Sequence, residues 1–299
     1  MTFPLSTKTS AVLKLLAGAV MISFSAVFVK IAHVEPAVSA FYRMAIGGLF
    51  LLIIIALTRK WNRLPSHAFF LMILSASCFI LDLIVWHQSI FYVGPGLATI
   101  LANFQVFILA GTGLFLYKER LGPRYIISVS LAVMGLGLLI LPGTEASSAP
   151  HFYFGVVLGL VTALAYSGYL LSLRSLQKRH RDLSPLLVIA IISVLTAIGI
   201  GLHVATSGAS FVIPDTQTFL ALIAYGVMGQ VLGWVLISKG IAYVETSKAG
   251  LILLLQPTLS FLWDILFFNR PTGLLDLTGA TLAIMAIYLG TTSRTNSHE

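Results

Sequence analysis

The residues of this chain with types and spacing suited to chemistry are Arg43, Asp82, Trp86, Gln230 and Trp234, and all five fall inside long apolar runs. A charge at mid-membrane costs ~2.5–3.5 kcal/mol or more, so each charged side chain needs a partner or a water-filled cavity. Arg43 offers a planar fork suited to a carboxylate or phosphate. It could equally pair with an acid on a neighbouring helix, or snorkel outward. Asp82 shares a helical face with Ser75, Cys78, Trp86 and Ser89. That face is more polar than the rest of its helix, as a cavity wall would be. A carboxyl group in apolar surroundings favours its neutral form, which suits coupling to protons. The alternative is an Asp82–Arg43 ion pair that only holds helices together. His87, one position off this face, reads as a hydrogen-bonded structural residue, with a coupling role as the alternative.

Further along, Gly226, Gln230, Trp234 and Ser238 recur four apart. Trp86 and Trp234 could then clamp an aromatic or cationic solute; as an alternative they form an interfacial aromatic belt or pack between helices. Gln256, Ser260 and Asp264 share one face of a later run, and Thr162, Tyr166 and Tyr169 share another. Asn103 and Gln105 lie about 200° apart on a helix, so at most one faces a cavity squarely. Gln105 is preferred because it recurs as Gln256. The expected substrate-binding or coupling set is therefore Arg43, Asp82, Trp86, Gln105, Tyr166, Gln230, Trp234, Gln256 and Asp264.

The elements that must position these residues are membrane helices. Of 299 residues 58% are hydrophobic and only 9% charged, and the mean hydropathy is +0.98. Soluble domains carry about 25% charged residues, so this composition excludes one. Apolar runs of roughly 20 residues, each able to cross ~30 Å of hydrocarbon, fall near 11–32, 36–58, 67–92, 95–117, 123–141, 152–173, 184–205, 216–238, 246–268 and 273–291. Breakers separate them, among them Glu35-Pro36, Gly94-Pro95-Gly96, Pro142-Gly143, Pro185, Pro214 and Pro271. In lipid every backbone polar group needs an internal partner, so the spans must be helices. The first run follows Lys8 and Lys14 as a signal peptide would, but its length suits a retained first helix.

Two halves repeat each other. Ile90-Phe91-Tyr92-Val93, Ala98 and Gln105 recur as Ile241-Ala242-Tyr243-Val244, Ala249 and Gln256, at a constant offset of 151 residues. Five spans per repeat put the second copy into the membrane from the opposite side. The expected fold is thus all-α and polytopic, ten transmembrane helices as two inverted five-helix repeats over 11–141 and 152–291, an architecture typical of secondary transporters.

Charge placement agrees with such a membrane protein. Of the 18 Lys and Arg, Lys30 and Arg270 fall on one side, Arg43 lies within a helix, and the other 15 fall on the opposite side. The positive-inside rule then puts both termini in the cytoplasm. The net charge of +8 is a topogenic signal, and nucleic acid is excluded as a partner because no soluble domain presents a basic face. One cysteine, Cys78, allows neither an intrachain disulfide nor a paired-Cys metal site. His180-Arg181-Asp182 spells a kinase triplet without a Gly-rich loop around it, and the sequence holds no HExxH, P-loop or Gly-x-Ser-x-Gly motif. No enzyme activity, cofactor or metal is expected, and energy must come from a gradient or from the substrate's own.

At these residues the chain resembles a known family. Gln105-Val106-Phe107, Lys118-Glu119-Arg120-Leu121-Gly122, the Gly-rich run with Gly135 and Gly137, Phe41-Tyr42-Arg43 and Gln256-Pro257 are similar to the EamA module of the drug/metabolite transporter superfamily. Asn269-Arg270-Pro271 stands where that family usually shows Gly-Glu-Arg, and Val106 where Pro is usual. The resemblance implies two tandem modules and a ten-helix inner-membrane carrier like the bacterial amino-acid and metabolite exporters. The expected partners are a small-molecule substrate, the lipid bilayer and protons as coupling ion. Gly155/Gly159 and Gly229/Gly233 allow either packing within one bundle or dimerisation, so monomer and homodimer stay open. The alternatives to export are an uptake carrier, a multidrug exporter, a channel, or an intramembrane enzyme acting on lipid.

Overall fold

The computed structural model describes residues 7–59, 61, 63–140, 151–269 and 273–292. Of the residues singled out above, Pro142, Gly143, Arg270, Pro271 and the side chain of Asp264 lie outside the described residues.

Among the described residues seven helices are long and apolar enough to cross a membrane: Thr7–Ile31, Pro36–Thr58, Ser66–Ile90, Phe152–Arg179, Pro185–Ser207, Thr216–Ile241 and Thr246–Phe268. Three shorter apolar helices cover Leu101–Phe115, Pro123–Leu138 and Leu277–Gly290. Together they account for the ten expected spans, and among the described residues there is no strand. The chain is an all-α polytopic membrane protein.

Two expected boundaries need correction. The first span is two helices, α1 (Thr7–Ser23) and α2 (Ser25–Ile31), hinged at Phe24. Helical residues also run unbroken through Gly94-Pro95-Gly96 from Ser66 to Asn103, as α4, after α3 (Pro36–Thr58). A proline removes one bond of the helical ladder and bends it without compelling a stop. A straight helix of that length would measure about 57 Å, far beyond the hydrocarbon thickness, so one straight pass cannot contain it.

The chain folds as two compact units, and each draws on both halves of the sequence. The first comprises Met1–Ile84 with Gly168–Val244, the second Val85–Ser167 with Glu245–Glu299.

In the first unit the later helices are the end of α7 (Phe152–Arg179), α8 (Pro185–Ser207), α9 (Thr216–Tyr225), a π-helical segment Gly226–Trp234, and α10 (Val235–Ile241). Pro36 and Pro185 open their helices at the first turn, where a missing N–H costs nothing. α3 ends on Arg59 and α8 on Gly208, both left-handed. α3 packs on α8 and on the π-helical segment, and α1 packs on α10. The approach is close: a Cβ at Gly47 of α3 would lie 2.5 Å from Gln230 Cβ. Asp215 caps α9, accepting from the Thr218 N–H at 2.7 Å, and His33 Nδ1 lies 2.7 Å from its other oxygen. The Thr218 N–H first, and His33 second, hold the Asp215 carboxyl below its usual range.

In the second unit α5 (Gln105–Phe115) packs on α11 (Thr246–Leu253), and α6 (Pro123–Ile140) on α13 (Leu274–Thr292), with α12 (Leu255–Phe268) beside them. Its core holds Val106, Tyr125, Val129, Leu136, Leu254 and Phe261. Glu119, from the Lys118-Glu119-Arg120 run, caps α11. Its carboxylate accepts from Thr246 N at 2.7 Å, Ser247 N at 3.1 Å and Ser247 Oγ at 2.7 Å. Tyr125 adds a bond from its hydroxyl to the Ser247 carbonyl at 2.9 Å. Glu119→Ala strands two helix N–H groups and is expected to cost ~2–3 kcal/mol, read as a fall in Tm of the detergent-solubilised protein. An unchanged Tm would remove the cap from the account.

Candidate functional site

The second turn of α3 carries Arg43, which is only 5% exposed. Its Nη1 donates to the Tyr225 hydroxyl at 3.1 Å. Its Cζ sits 4.9 Å from the Tyr225 ring centroid and 6.0 Å from that of Phe79. Both rings offer their electron-rich faces to the cation. Among the described residues Nε and Nη2 have no hydrogen-bond partner. Asp82, 8% exposed, follows Phe79 by one turn of α4. Among the described residues Arg43 and Asp82 do not form a direct ion pair. In place of the alternative Asp82–Arg43 pair, Arg43 is held by the Phe79 ring and by the ring and hydroxyl of Tyr225.

Gln230 is fully buried in the π-helical segment. Its Nε2 donates to Ser193 Oγ of α8 at 2.7 Å, and its Oε1 has no partner. The π geometry, whose bonds run i→i+5, is rare and frequent at functional sites. Nothing in the four-apart spacing of Gly226, Gln230 and Trp234 announces it. Trp234, 1% exposed, closes the cluster. Phe79 and Tyr169 stack at 4.4 Å with planes 7° apart, and the indole meets both edge-on, at 5.5 Å and 4.7 Å. Phe79, Tyr225 and Ser193 belong to this cluster and escape sequence reasoning, since a buried aromatic in an apolar run carries no signal of its own.

The α4 face expected to line a cavity is in large part a seam with α7. Ser75 Oγ lies 2.7 Å from Ser172 Oγ, and a Cβ at Gly168 would lie 3.0 Å from Cys78 Sγ. In the second unit Ser89 Oγ donates to the Gly155 carbonyl at 2.9 Å. Small polar residues on one face suit close helix approach as well as they suit a cavity.

The other candidates fall in the second unit. Trp86 packs beside His87 at 5.2 Å and against Val93, Ala98 and Leu101. Gln105 is buried, with Nε2 donating to the Gly250 carbonyl at 3.3 Å and Oε1 unpartnered. Asn103 bonds its own helix at Thr99, which leaves Gln105 as the inward residue of the pair. Tyr166 and Gln256 are half-buried. An apolar groove of about 340 Å³ between α3 and α8, lined by Phe41, Leu49 and Ile198 among others, contains none of these residues. Among the described residues no group of three His, Cys, Asp or Glu could hold a metal ion.

A polytopic helical protein with ionisable groups buried inside its spans is a membrane transporter in outline. Residues 9–141 and 153–292 match the EamA-like transporter family, and the chain belongs to that family. It is 25% identical over 282 residues to the pseudopaline exporter CntI of Pseudomonas aeruginosa, covering 93% of this chain and 94% of that one. It is 24% identical over 202 residues to a probable amino-acid metabolite efflux pump of Salmonella typhimurium, covering 65% and 66%. An uncharacterized transporter of Archaeoglobus fulgidus is 24% identical over 58% of this chain and 59% of its own length. A solved crystal structure superposes with a TM-score of 0.81 at 18% identity, over 95% of this chain and 98% of that one, which shows a shared fold.

Proposed function

We propose that the chain is a secondary carrier of the cell inner membrane that exports small organic solutes, amino acids or related metabolites, by alternating access. One observation carries this reading. Arg43, Asp82 and Gln230 are all buried within apolar spans, and Arg43 and Gln230 keep hydrogen-bonding atoms unused. Buried polar groups are normally satisfied, and ionisable groups inside membranes mark substrate or ion pathways. A polar solute moving through the protein would complete the set. The exporter names of two relatives support the direction. Asp82 is the carboxyl placed to couple transport to protons, and the Lys and Arg distribution supports cytoplasmic termini. The two modules, 11–141 and 152–291, are the inverted repeats typical of such carriers, and each compact unit draws helices from both.

The test is flux of labelled amino acids and cationic drugs in proteoliposomes, with and without an imposed pH gradient. Amino-acid flux that responds to the gradient is expected. Flux of drugs alone would point to a multidrug exporter. Turnover of lipid without any flux would replace transport with the enzyme reading.

A further inference from the structure

Two of the three Arg43 nitrogens are open, and which two they are is informative. Nη1 is engaged by Tyr225. The open ones are Nε and Nη2, both buried. Those two N–H groups lie along one edge of the planar guanidinium and point the same way, which matches the two oxygens of a carboxylate. The end-on edge, which needs Nη1 and Nη2 together, is spoiled by the bond to Tyr225. A buried donor left unsatisfied costs about 1–3 kcal/mol, more when charged. Two of them on one edge make a natural seat for a group that accepts from both.

Space and charge narrow that group. Gly229 of the π-helical segment faces Nε: a Cβ there would lie 3.4 Å from it and 3.5 Å from the Tyr225 ring. Having no side chain, Gly229 sets no further atoms beside Nε, where any larger residue would crowd the fork. Arg43 brings a single positive charge. Gln230 beside Gly229 is neutral. One buried cation suits a monoanion, whereas a phosphate dianion would leave buried negative charge in excess. Phe79 and Tyr225, whose faces Arg43 already occupies, hold the guanidinium plane in place.

We propose that Arg43 grips the transported solute by a carboxylate, side-on through Nε–H and Nη2–H. This rests on the transport reading above and goes beyond it by naming the chemical group that is recognised. A solute that lacks a carboxylate, such as a simple cationic drug, has nothing to offer this edge.

The experiment uses matched sets: phenylalanine, phenylalaninamide and phenethylamine, with the leucine counterparts. Flux in proteoliposomes and thermal stabilisation of the purified protein are measured for each. The acids are expected to move, and to stabilise the protein, with the amides and amines about 10- to 100-fold weaker, the worth of one charged hydrogen bond. Arg43→Lys keeps the charge and loses the fork, and is expected to raise KM for the acids by a similar factor. Gly229→Ala, which sets a methyl beside Nε, is expected to raise KM with Tm unchanged, and it tests the fork if the Arg43 variant fails to fold. Amides moved as fast as acids, or an Arg43→Lys protein as good as wild type, would overturn the grip and leave transport standing. Stabilisation by acids alone without flux of any solute would keep the grip and overturn transport. No response to any acid in either assay would overturn the grip as well.

Discussion

Gly135→Leu is expected to yield almost no folded protein. Gly135 sits in α6 against α13, and a Cβ at that position would lie 2.6 Å from the Gly279 carbonyl oxygen and 2.7 Å from the Ala283 nitrogen. Both are backbone atoms, so no rotamer change can make room and the helices must separate. Overpacking by a few carbons costs ~1–3 kcal/mol where side chains can adjust. Here the contact joins Val129, Ala132, Leu136, Ala280 and Ala286 in one core, and parting α6 from α13 exposes all of it. Against a total stability of about 5–15 kcal/mol, that is enough to unfold the second unit. The control is Gly111→Ala in α5, where a Cβ meets nothing within 4 Å. That change relieves the glycine penalty inside a helix, ~1 kcal/mol. The monodisperse fraction on size exclusion and the Tm in detergent decide the matter. A Gly135→Leu protein that melts within about 2 °C of wild type would show that α6 and α13 do not pack as described.

The fold was legible because its physics is one-dimensional. Hydrocarbon thickness fixes span length, and Pro36, Pro123 and Pro185 mark helix starts where the chain places them. What the sequence hid was set by three-dimensional packing. The 151-residue offset suggests that each half stands by itself, yet each compact unit takes helices from both halves. Gly94-Pro95-Gly96 looked like a stop and is helical, because a proline costs one bond and glycine none. In the π-helical segment around Gln230, Gly226, Gly229 and Gly233 face Ile46, Arg43 and Ile22, contacts that no local pattern specifies. For the candidate site, charge in an apolar run was the clearer signal: it singled out Arg43 and Asp82, both of which are buried. Polar spacing was not, since Ser75 and Ser89 serve the α4–α7 seam. Aromatic partners such as Phe79 and Tyr225 were invisible until the helices were placed.

Asp82→Asn is expected to keep solute flux and abolish its response to a pH gradient. Asparagine has nearly the same shape and no proton to lose or gain, so only the coupling chemistry is removed. If one proton moves per solute, a gradient of one pH unit is worth about 1.4 kcal/mol, which is a tenfold accumulation. Wild-type vesicles should reach a limit of that order, and the variant should reach none, with solute equilibrating across the membrane. A purely structural Asp82 makes the opposite pattern. Were it there to balance Arg43, its removal would leave a buried guanidinium charge uncompensated and cost ~3–5 kcal/mol, seen as a large fall in Tm. The geometry disfavours that outcome, because Arg43 is already held by Tyr225 and Phe79 and does not pair directly with Asp82. Two measurements on one variant therefore separate the roles. Retained Tm with lost gradient response identifies Asp82 as the proton-carrying group, whereas a retained gradient response removes it from coupling whatever the Tm.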